Sequence, residues 1–387
     1  MARRATYLES IWNEGAPVLM LDGGDLFGPR NQNEKHQTAF LCEVTADFGT
    51  DAIGLGERDL NYGLAYLQAV MEDPGLPYTN ANVRAVSTGE LVCPEYLVVE
   101  RGGIRFGIVS VLDPSHHIFT MTTQEEEFEV ADPVATLREL LPRVREKADT
   151  IVLLGHLGDT RTEAVLGEVN GIDVAVVGHS RRNVDTERLV GDTILLNSAY
   201  EGRYIGRANM FFRKKDGRVM AVDVMTTQLN DKVEDDPDML ARIEEYKASL
   251  VAFKEAKRAA YPRDRGAKSE NFLGDRSCKS CHEDAWTAYS SSQHRQAYMT
   301  LRRKGQFAEP ECLSCHTTGY QYHNGYADES PYNRLVNVQC EACHGYGTEH
   351  ARDGSWITQA RESCATCHDA KNSPDFDYAT YWEKIKH

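Results

Sequence analysis

The chain has 387 residues, which is long enough for two or three domains with cores of their own. Its formal net charge is −16, which argues against nucleic acid as a partner and favours basic proteins or cationic surfaces. No run of apolar residues is long enough to form a transmembrane helix.

Residues 1–229 alternate short apolar runs with amphipathic stretches, which is typical of a layered α/β or α+β sandwich. Strands are predicted at 18–21, 52–55, 150–154 and 172–177, hairpins at 96–112 and 207–225, and a helix at 133–148. Several of these strands end in polar residues. We therefore treat 1–229 as one domain whose strand ends carry candidate functional side chains.

The segment 230–271 is rich in Glu, Lys, Ala and Leu over 231–260, and its apolar spacing predicts one long helix followed by a polar linker. From residue 272 the composition changes to Cys, His, Gly, Tyr and Ser. Residues 272–387 are therefore predicted to form a second, small and mainly α domain, whose own side chains are too few to fill a core.

This second domain contains four copies of Cys-x-x-Cys-His. They are Cys278, Cys281 and His282; Cys312, Cys315 and His316; Cys340, Cys343 and His344; and Cys364, Cys367 and His368. Zinc also binds paired cysteines, but it does not require a histidine immediately after every pair. The repetition predicts four covalently attached haem c groups, with each histidine as the proximal iron ligand. The haems would supply the missing core.

The chain has 10 cysteines, and the motifs use 8 of them. The other two, Cys42 and Cys93, lie on apolar segments, so buried thiols are favoured over a disulfide. The second domain has four further histidines: His294, His323, His350 and His387. Their number allows every iron to have two imidazole ligands. Surface histidines are the alternative for each one.

The domain 272–387 resembles the tetrahaem cytochrome c-554 family in the motifs above and in Ser292-Gln-His294, Thr317-Thr-Gly319 and Gly345-Tyr-Gly347. The resemblance implies that distal ligands cross between motifs. His350 would then serve the haem of His282, His294 that of His368, and His387 that of His344. The family's second haem is five-coordinate, so His323 would either fill that position at the His316 haem or leave it open. His387 would alternatively ligate a haem in a neighbouring molecule.

The strand ends of 1–229 resemble the calcineurin-like metallophosphoesterases, within them the 5'-nucleotidase branch. Asp22-Gly-Gly-Asp25 is similar to the family's Gly-Asp motif, and Gly56-Glu57-Arg58-Asp59 to its Gly-Asn-His-Glu/Asp segment. Gly155-His156 is similar to the isolated His, and Gly178-His179-Ser-Arg181 to Gly-His-x-His.

Several family residues are replaced. The N-terminal Asp-x-His is missing, although a start further upstream would hide it, and Arg181 takes the place of the last histidine. The family's first metal is therefore predicted to be lost. Asp25, Glu57, His156 and His179 remain as ligands for one divalent ion: zinc, manganese or iron. Because Arg58 replaces the histidine that assists the leaving group, an inactive scaffold is favoured over a hydrolase. The histidines would alternatively only cap strand ends.

Together these features predict an electron-transfer protein with redox donors and acceptors as partners and the phosphoesterase-like domain as a docking or assembly platform. The alternatives are a redox enzyme acting on a small nitrogen or oxygen species at a five-coordinate haem, a hydrolase coupled to a redox module, and a subunit of a polymeric extracellular conduit that self-associates through its haem domain. Haem attachment is completed outside the cytoplasm, so a periplasmic or extracellular location is expected. No signal peptide is recognisable in the given sequence.

Overall fold

The structure is a computed structural model that describes residues 1–28, 32–116, 118, 128–180, 182, 188–197, 202–213, 215, 217, 219–260, 262, 264–304, 306–307, 309–327, 333–355, 363–369 and 372–387. These residues form two compact units, one of 1–29 and 34–248 and the other of 30–33 and 249–387. The division falls inside the helix predicted for the connecting segment. The domain boundaries 1–229, 230–271 and 272–387 stay a prediction.

The first unit begins with helix α1 and continues through alternating strands and helices. In chain order its elements are α1 (Ala2–Trp12), β1 (Leu21–Asp22), α2 (Gln32–Asp47), β2 (Ala52–Gly54), α3 (Leu64–Glu72), β3 (Tyr78–Thr79), β4 (Val83–Ala85), β5 (Leu97–Arg101), β6 (Ile104–Leu112), β7 (Phe128–Val130), α4 (Pro133–Arg145), β8 (Thr150–His156), α5 (Gly158–Glu168), β9 (Val174–Val177), β10 (Arg188–Val190), β11 (Thr193–Asn197), β12 (Tyr204–Phe212), β13 (Val219–Gln228) and α6 (Pro237–Ala260). A 3₁₀ turn occupies Glu57–Leu60.

Two sheets dominate this unit. One has six strands in the order β10-β11-β9-β8-β6-β5, in which β6, β8, β9 and β11 are parallel and the edge strands β5 and β10 are antiparallel. The other is the parallel sheet β1-β2-β3. Strand β1 is shorter than predicted because Met20 donates its N–H to the Asp51 carboxylate instead of joining the ladder. The predicted hairpins appear as β5–β6 and β12–β13.

The two sheets pack face to face, and helices cover their outer faces. Ala52 of β2 shares a buried cluster with Ile108 of β6 and Val152 of β8. Successive side chains of a strand point to opposite faces of its sheet. Leu153, which follows Val152 in β8, therefore points to the outer face and packs with Leu137 of α4. On the opposite side, Ile53 packs with α2 and α3. The predicted class, a β-sandwich flanked by helices, is confirmed.

The second unit consists of short helices. They are α7 (Asp275–Cys278), α8 (Glu283–Ser291), α9 (Ala297–Lys304), α10 (Pro310–His316), α11 (Cys340–His344), α12 (Thr348–Asp353) and α13 (Tyr378–Trp382), with 3₁₀ turns at Gln293–Gln296 and Cys364–Thr366. Each Cys-x-x-Cys-His motif begins on one of these helices or turns or at its last residue. Within the ranges that the structure describes, no helix is long and apolar enough to cross a membrane.

Buried hydrogen bonds and one small cluster hold the helices of the second unit together. The Glu341 carboxylate, which is 4 % exposed, accepts N–H groups from Leu273, Gly274 and Gly347 at 2.7–2.9 Å. The cluster comprises Phe272, Tyr298, Leu301, Leu313, Tyr320, Tyr326 and Leu335. The segment therefore has more interior of its own than its composition indicated. That interior is nevertheless small for a unit of this length, and most cysteines remain partly exposed.

Candidate functional site

One edge of the first unit gathers the polar side chains that follow its parallel strands. Glu57 follows β2, His116 follows β6, His156 ends β8 and His179 follows β9. Asp25 lies just beyond β1. The carboxyl ends of parallel strands meet at one edge of a sheet, which is where α/β folds place their ligands. The fold therefore explains why residues far apart in sequence meet here.

His156 lies at the centre of this group and is 1 % exposed. Its Nδ1 lies 2.8 Å from the Gly23 carbonyl, which can only accept, so Nδ1 carries a proton. Its Nε2 then faces the Glu57 carboxylate at 3.0 Å and His179 Nδ1 at 3.3 Å. A backbone carbonyl that fixes the tautomer in this way is the usual arrangement around a metal-binding histidine.

Burial lowers the pKa of His156, but hydrogen bonds with the Asp25 and Glu57 carboxylates outweigh it and raise that pKa to about 10. For Glu57, burial raises the pKa, but the hydrogen bond from His156 outweighs it and lowers the pKa to about 2. The group thus holds an ionised carboxylate beside buried imidazole. A divalent ion that displaces the His156 Nε2 proton fits this donor set.

His116 belongs to this group, although the sequence motifs did not mark it as a metal ligand. Its ring stacks on that of His179 with centroids 4.0 Å apart, and its Nδ1 lies 3.8 Å from Glu57 Oε2. The position of His116 after the carboxyl end of β6 was the available signal. The neighbouring His117 lies outside the described residues.

Asp25 is bound to Arg58. One carboxylate oxygen accepts the Arg58 backbone N–H at 3.0 Å, and the other lies 3.6 Å from Arg58 Nε. Asp25 Oδ1 is also 3.6 Å from His156 Nε2. Arg58, which replaces the family's catalytic histidine, therefore pairs with a predicted metal ligand. Arg181 lies outside the described residues.

A buried carboxylate fixes the two loops on which Asp25 and Glu57 lie. Asp59 is fully buried and accepts the backbone N–H groups of Asp25, Phe27 and Gly56 at 2.9–3.1 Å, as well as the Tyr78 hydroxyl at 3.1 Å. Burial, together with the nearby Asp25 charge, raises the pKa of Asp59 to about 7. Asp59 therefore holds the loops of Asp25 and Glu57 in position and does not itself line the site.

In the second unit, three pairs of histidine rings face each other. The centroids of His282 and His350 are 5.8 Å apart, those of His294 and His368 6.0 Å, and those of His344 and His387 5.9 Å. A metal–imidazole bond is about 2 Å long and the ring centre lies about 1 Å beyond the nitrogen, so trans imidazoles have centroids about 6 Å apart. These are the pairs that the crossed assignment joins, and their separations are those that two imidazoles on one iron would have; the ligation itself stays a prediction.

Hydrogen bonds at Nδ1 prepare several of these rings for ligation through Nε2. Nδ1 lies 2.7 Å from the Ser355 carbonyl in His350 and 3.1 Å from the Ile385 carbonyl in His387. In His316 it lies 2.8 Å from the Ala297 carbonyl. Burial, aided by the nearby His368 and His316, lowers the pKa of His294, which favours the neutral form that binds metal.

The His316 ring differs from the other three proximal rings. Among the described residues, no second histidine ring faces it in the way seen at the three pairs. His323 lies in a turn where its N–H donates to the Arg265 carbonyl and its carbonyl accepts the Tyr346 hydroxyl at 2.7 Å. Its assignment to the His316 haem stays a prediction.

The motif cysteines also meet across the sequence. Cys278 and Cys340 lie close enough for each thiol to shift the pKa of the other, and the same holds for Cys315 and Cys367. Cys343 lies beside Ser363 and Cys364. The first motif therefore adjoins the third, the third adjoins the fourth, and the fourth adjoins the second. In the first unit, Cys42 and Cys93 are buried free thiols, in agreement with the sequence prediction.

Comparison with known proteins supports this division of the chain. Residues 277–345 match the model of the family described as cytochrome c554 and c-prime. The match covers the first three Cys-x-x-Cys-His motifs. It supports haem binding in this part of the chain.

Part of the chain is also similar to nucleotide phosphoesterases. It is 24 % identical over 267 residues to the trifunctional nucleotide phosphoesterase protein YfkN of Bacillus subtilis, covering 58 % of this chain and 18 % of that protein. It is 24 % identical over 276 residues to the 5'-nucleotidase of Vibrio vulnificus, covering 61 % and 49 %. The chain thus spans about half or less of these relatives.

The fold agrees with this similarity. The solved structure of a 5'-nucleotidase precursor from Thermus thermophilus matches with a TM-score of 0.56 at 19 % identity, covering 71 % of this chain and 57 % of that one. Together with the match of residues 277–345, these relationships show a chain that is similar to 5'-nucleotidase-like phosphoesterases over part of its length and to cytochrome c554 over another part.

Proposed function

We propose that this chain is a multihaem c-type cytochrome that transfers electrons through four covalently bound haems. In this proposal the phosphoesterase-like unit is a catalytically inactive scaffold for docking or assembly. The proposal rests on one observation: three pairs of histidine rings have centroids 5.8–6.0 Å apart, and each pair contains one motif histidine. Haem iron gains or loses one electron, and two imidazole ligands leave it no open position for a substrate.

The chain's own residues have three tasks in this proposal. The eight motif cysteines anchor the macrocycles, and the six paired histidines set their orientation. The hydrogen bonds at Nδ1 of His350 and His387 hold the distal rings in place and increase their basicity. The His344–His387 contact lies within one chain, so it supplies no argument for a haem shared between molecules.

The cysteine contacts support an order for electron passage. The first motif touches the third, the third the fourth, and the fourth the second, through Cys278–Cys340, Cys343–Cys364 and Cys315–Cys367. Electrons would pass along the haems in that order. Redox proteins are the donors and acceptors, and the net charge of −16 favours basic ones. The periplasm or cell exterior is the proposed location.

A second candidate function rests on His316, which stands at one end of this order. Its ring lacks the facing partner that the other proximal rings have among the described residues. An open sixth position there would bind a small nitrogen or oxygen species. The chain would then be a redox enzyme whose other three haems deliver or remove electrons.

Replacing a distal histidine tests the carrier function. In His350→Ala the first haem loses its second imidazole, so we expect one additional high-spin haem per chain in low-temperature electron paramagnetic resonance spectra. The control is Glu349→Gln on the same helix, which should keep the parent spectrum. An unchanged spectrum for His350→Ala would remove the proposed pairing.

The haem number is tested by composition. The pyridine haemochrome assay on the purified chain should give four haems per polypeptide, because there are four complete motifs. A variant with Cys364→Ser and Cys367→Ser should give three. A parent value of three or fewer, or no loss in the variant, would refute the count.

The spin state of the unmodified protein separates the two candidate functions. An open position at the His316 haem predicts one high-spin iron in four, which should become low-spin when nitric oxide or cyanide is added. His323→Ala should leave that signal unchanged. A wholly low-spin parent protein would reject the enzyme candidate and support the carrier alone.

The scaffold role predicts that the chain does not hydrolyse phosphodiesters. With Mn²⁺ supplied, the parent chain should hydrolyse bis(p-nitrophenyl) phosphate no faster than the Glu57→Gln variant does. The reasons are that Arg58 pairs with Asp25 and that Arg58 replaces the histidine that would assist the leaving group. Turnover by the parent chain that Glu57→Gln abolishes would instead support a hydrolase coupled to the haem unit.

A further inference from the structure

We infer that the first unit binds a single divalent ion through three histidines and one carboxylate, and that His116 is the fourth ligand in place of Asp25. Among the described residues, the ligating atoms that lie within 4.8 Å of one another belong to Glu57, His116, His156 and His179. This set differs from the one that the sequence motifs predict. It goes beyond the electron-transfer function and does not depend on it.

The distances fit one four-coordinate ion. Bonds of about 2 Å in a tetrahedron place neighbouring ligand atoms roughly 3.3 Å apart. The separations here are 3.0 Å for Glu57–His156, 3.3 Å for His156–His179, 3.5 Å for His179–Glu57 and 3.8 Å for Glu57–His116. To complete the set, the His116 ring has to rotate out of its stack with His179, so that both ring planes point at the ion.

His116 has a buried atom that the ion would satisfy. Its Nδ1 is shielded from solvent and has no hydrogen-bond partner. Coordination would satisfy this nitrogen, which is otherwise left unpaired away from water.

Asp25 is less available than His116, because one of its oxygens accepts the Arg58 backbone N–H at 3.0 Å and the other lies 3.6 Å from Arg58 Nε. In a site for two ions this carboxylate would have to bridge them. Here it is paired with a guanidinium that cannot lose its proton. The arrangement therefore favours one ion. Three imidazoles with one carboxylate suit zinc, manganese or iron.

The test is a Mn²⁺ titration of the haem-loaded full chain after chelator treatment, with free Mn²⁺ measured by room-temperature electron paramagnetic resonance. We expect one ion per chain. His116→Gln should weaken binding about tenfold or more, because a ligand is lost. Asp25→Asn should change the affinity less than about threefold. The matched control is His36→Gln, a histidine of the same unit whose ring stacks on Tyr246, and it should bind as the parent does.

A second measurement needs no variant. Pulsed electron paramagnetic resonance of bound Mn²⁺ in the haem-reduced parent chain should show nitrogen couplings from three imidazoles. Any of four results would overturn the inference: couplings from only two imidazoles, two ions per chain, no Mn²⁺ binding, or a fall in Mn²⁺ affinity for Asp25→Asn as large as that for His116→Gln. If His116→Gln fails to fold, as judged by its haem content and circular dichroism, the coupling count alone decides.

Discussion

The spacing of three histidine pairs is the constraint on which the proposed role of the second unit depends. Their ring centroids lie 5.8–6.0 Å apart, the separation that two imidazoles bound to one metal ion would have. Each pair joins residues distant in sequence: α12 to the first motif, the turn before α9 to the fourth, and the C-terminal residue to the third. The pairs add to the long-range connections that the Glu341 hydrogen bonds and the buried cluster around Tyr298 and Tyr326 provide.

The first unit is constrained differently. Its parallel strands bring Glu57, His116, His156 and His179 to one sheet edge, and the buried Asp59 holds the Asp25 and Glu57 loops in register. The fold retains the place where phosphoesterases act, but Arg58 changes its chemistry by pairing with Asp25. The proposed metal site, without the general acid that the resemblance assigns to this position, would be compatible with a structural or docking role.

The two units and many of their candidate site residues could be predicted from the sequence, because the informative residues occur in short, local patterns. The Cys-x-x-Cys-His motifs specify their cofactor directly, and the strand-end motifs located Glu57, His156 and His179. The three distal pairings came from family resemblance, since motif spacing alone does not say which helix returns to which haem. The structure places the rings of these three pairs 5.8–6.0 Å apart, and their ligation of iron stays a prediction.

Other features depend on contacts that local patterns do not encode. His116 carries no motif, and it reaches the site because the loop after β6 turns back over His179. The Arg58–Asp25 pair depends on side-chain direction between two loops. His323 follows His316 closely in sequence, and its backbone hydrogen-bonds to the Arg265 carbonyl and the Tyr346 hydroxyl. Its assignment as a ligand stays a prediction, because spacing along the chain does not give the direction of its ring.

An experimental structure of the haem-loaded chain, at a resolution that shows the sixth position of each iron, tests the central claim most directly. The account predicts three irons held between His282 and His350, His294 and His368, and His344 and His387. Any of these irons with a different distal ligand, or with none, would contradict it.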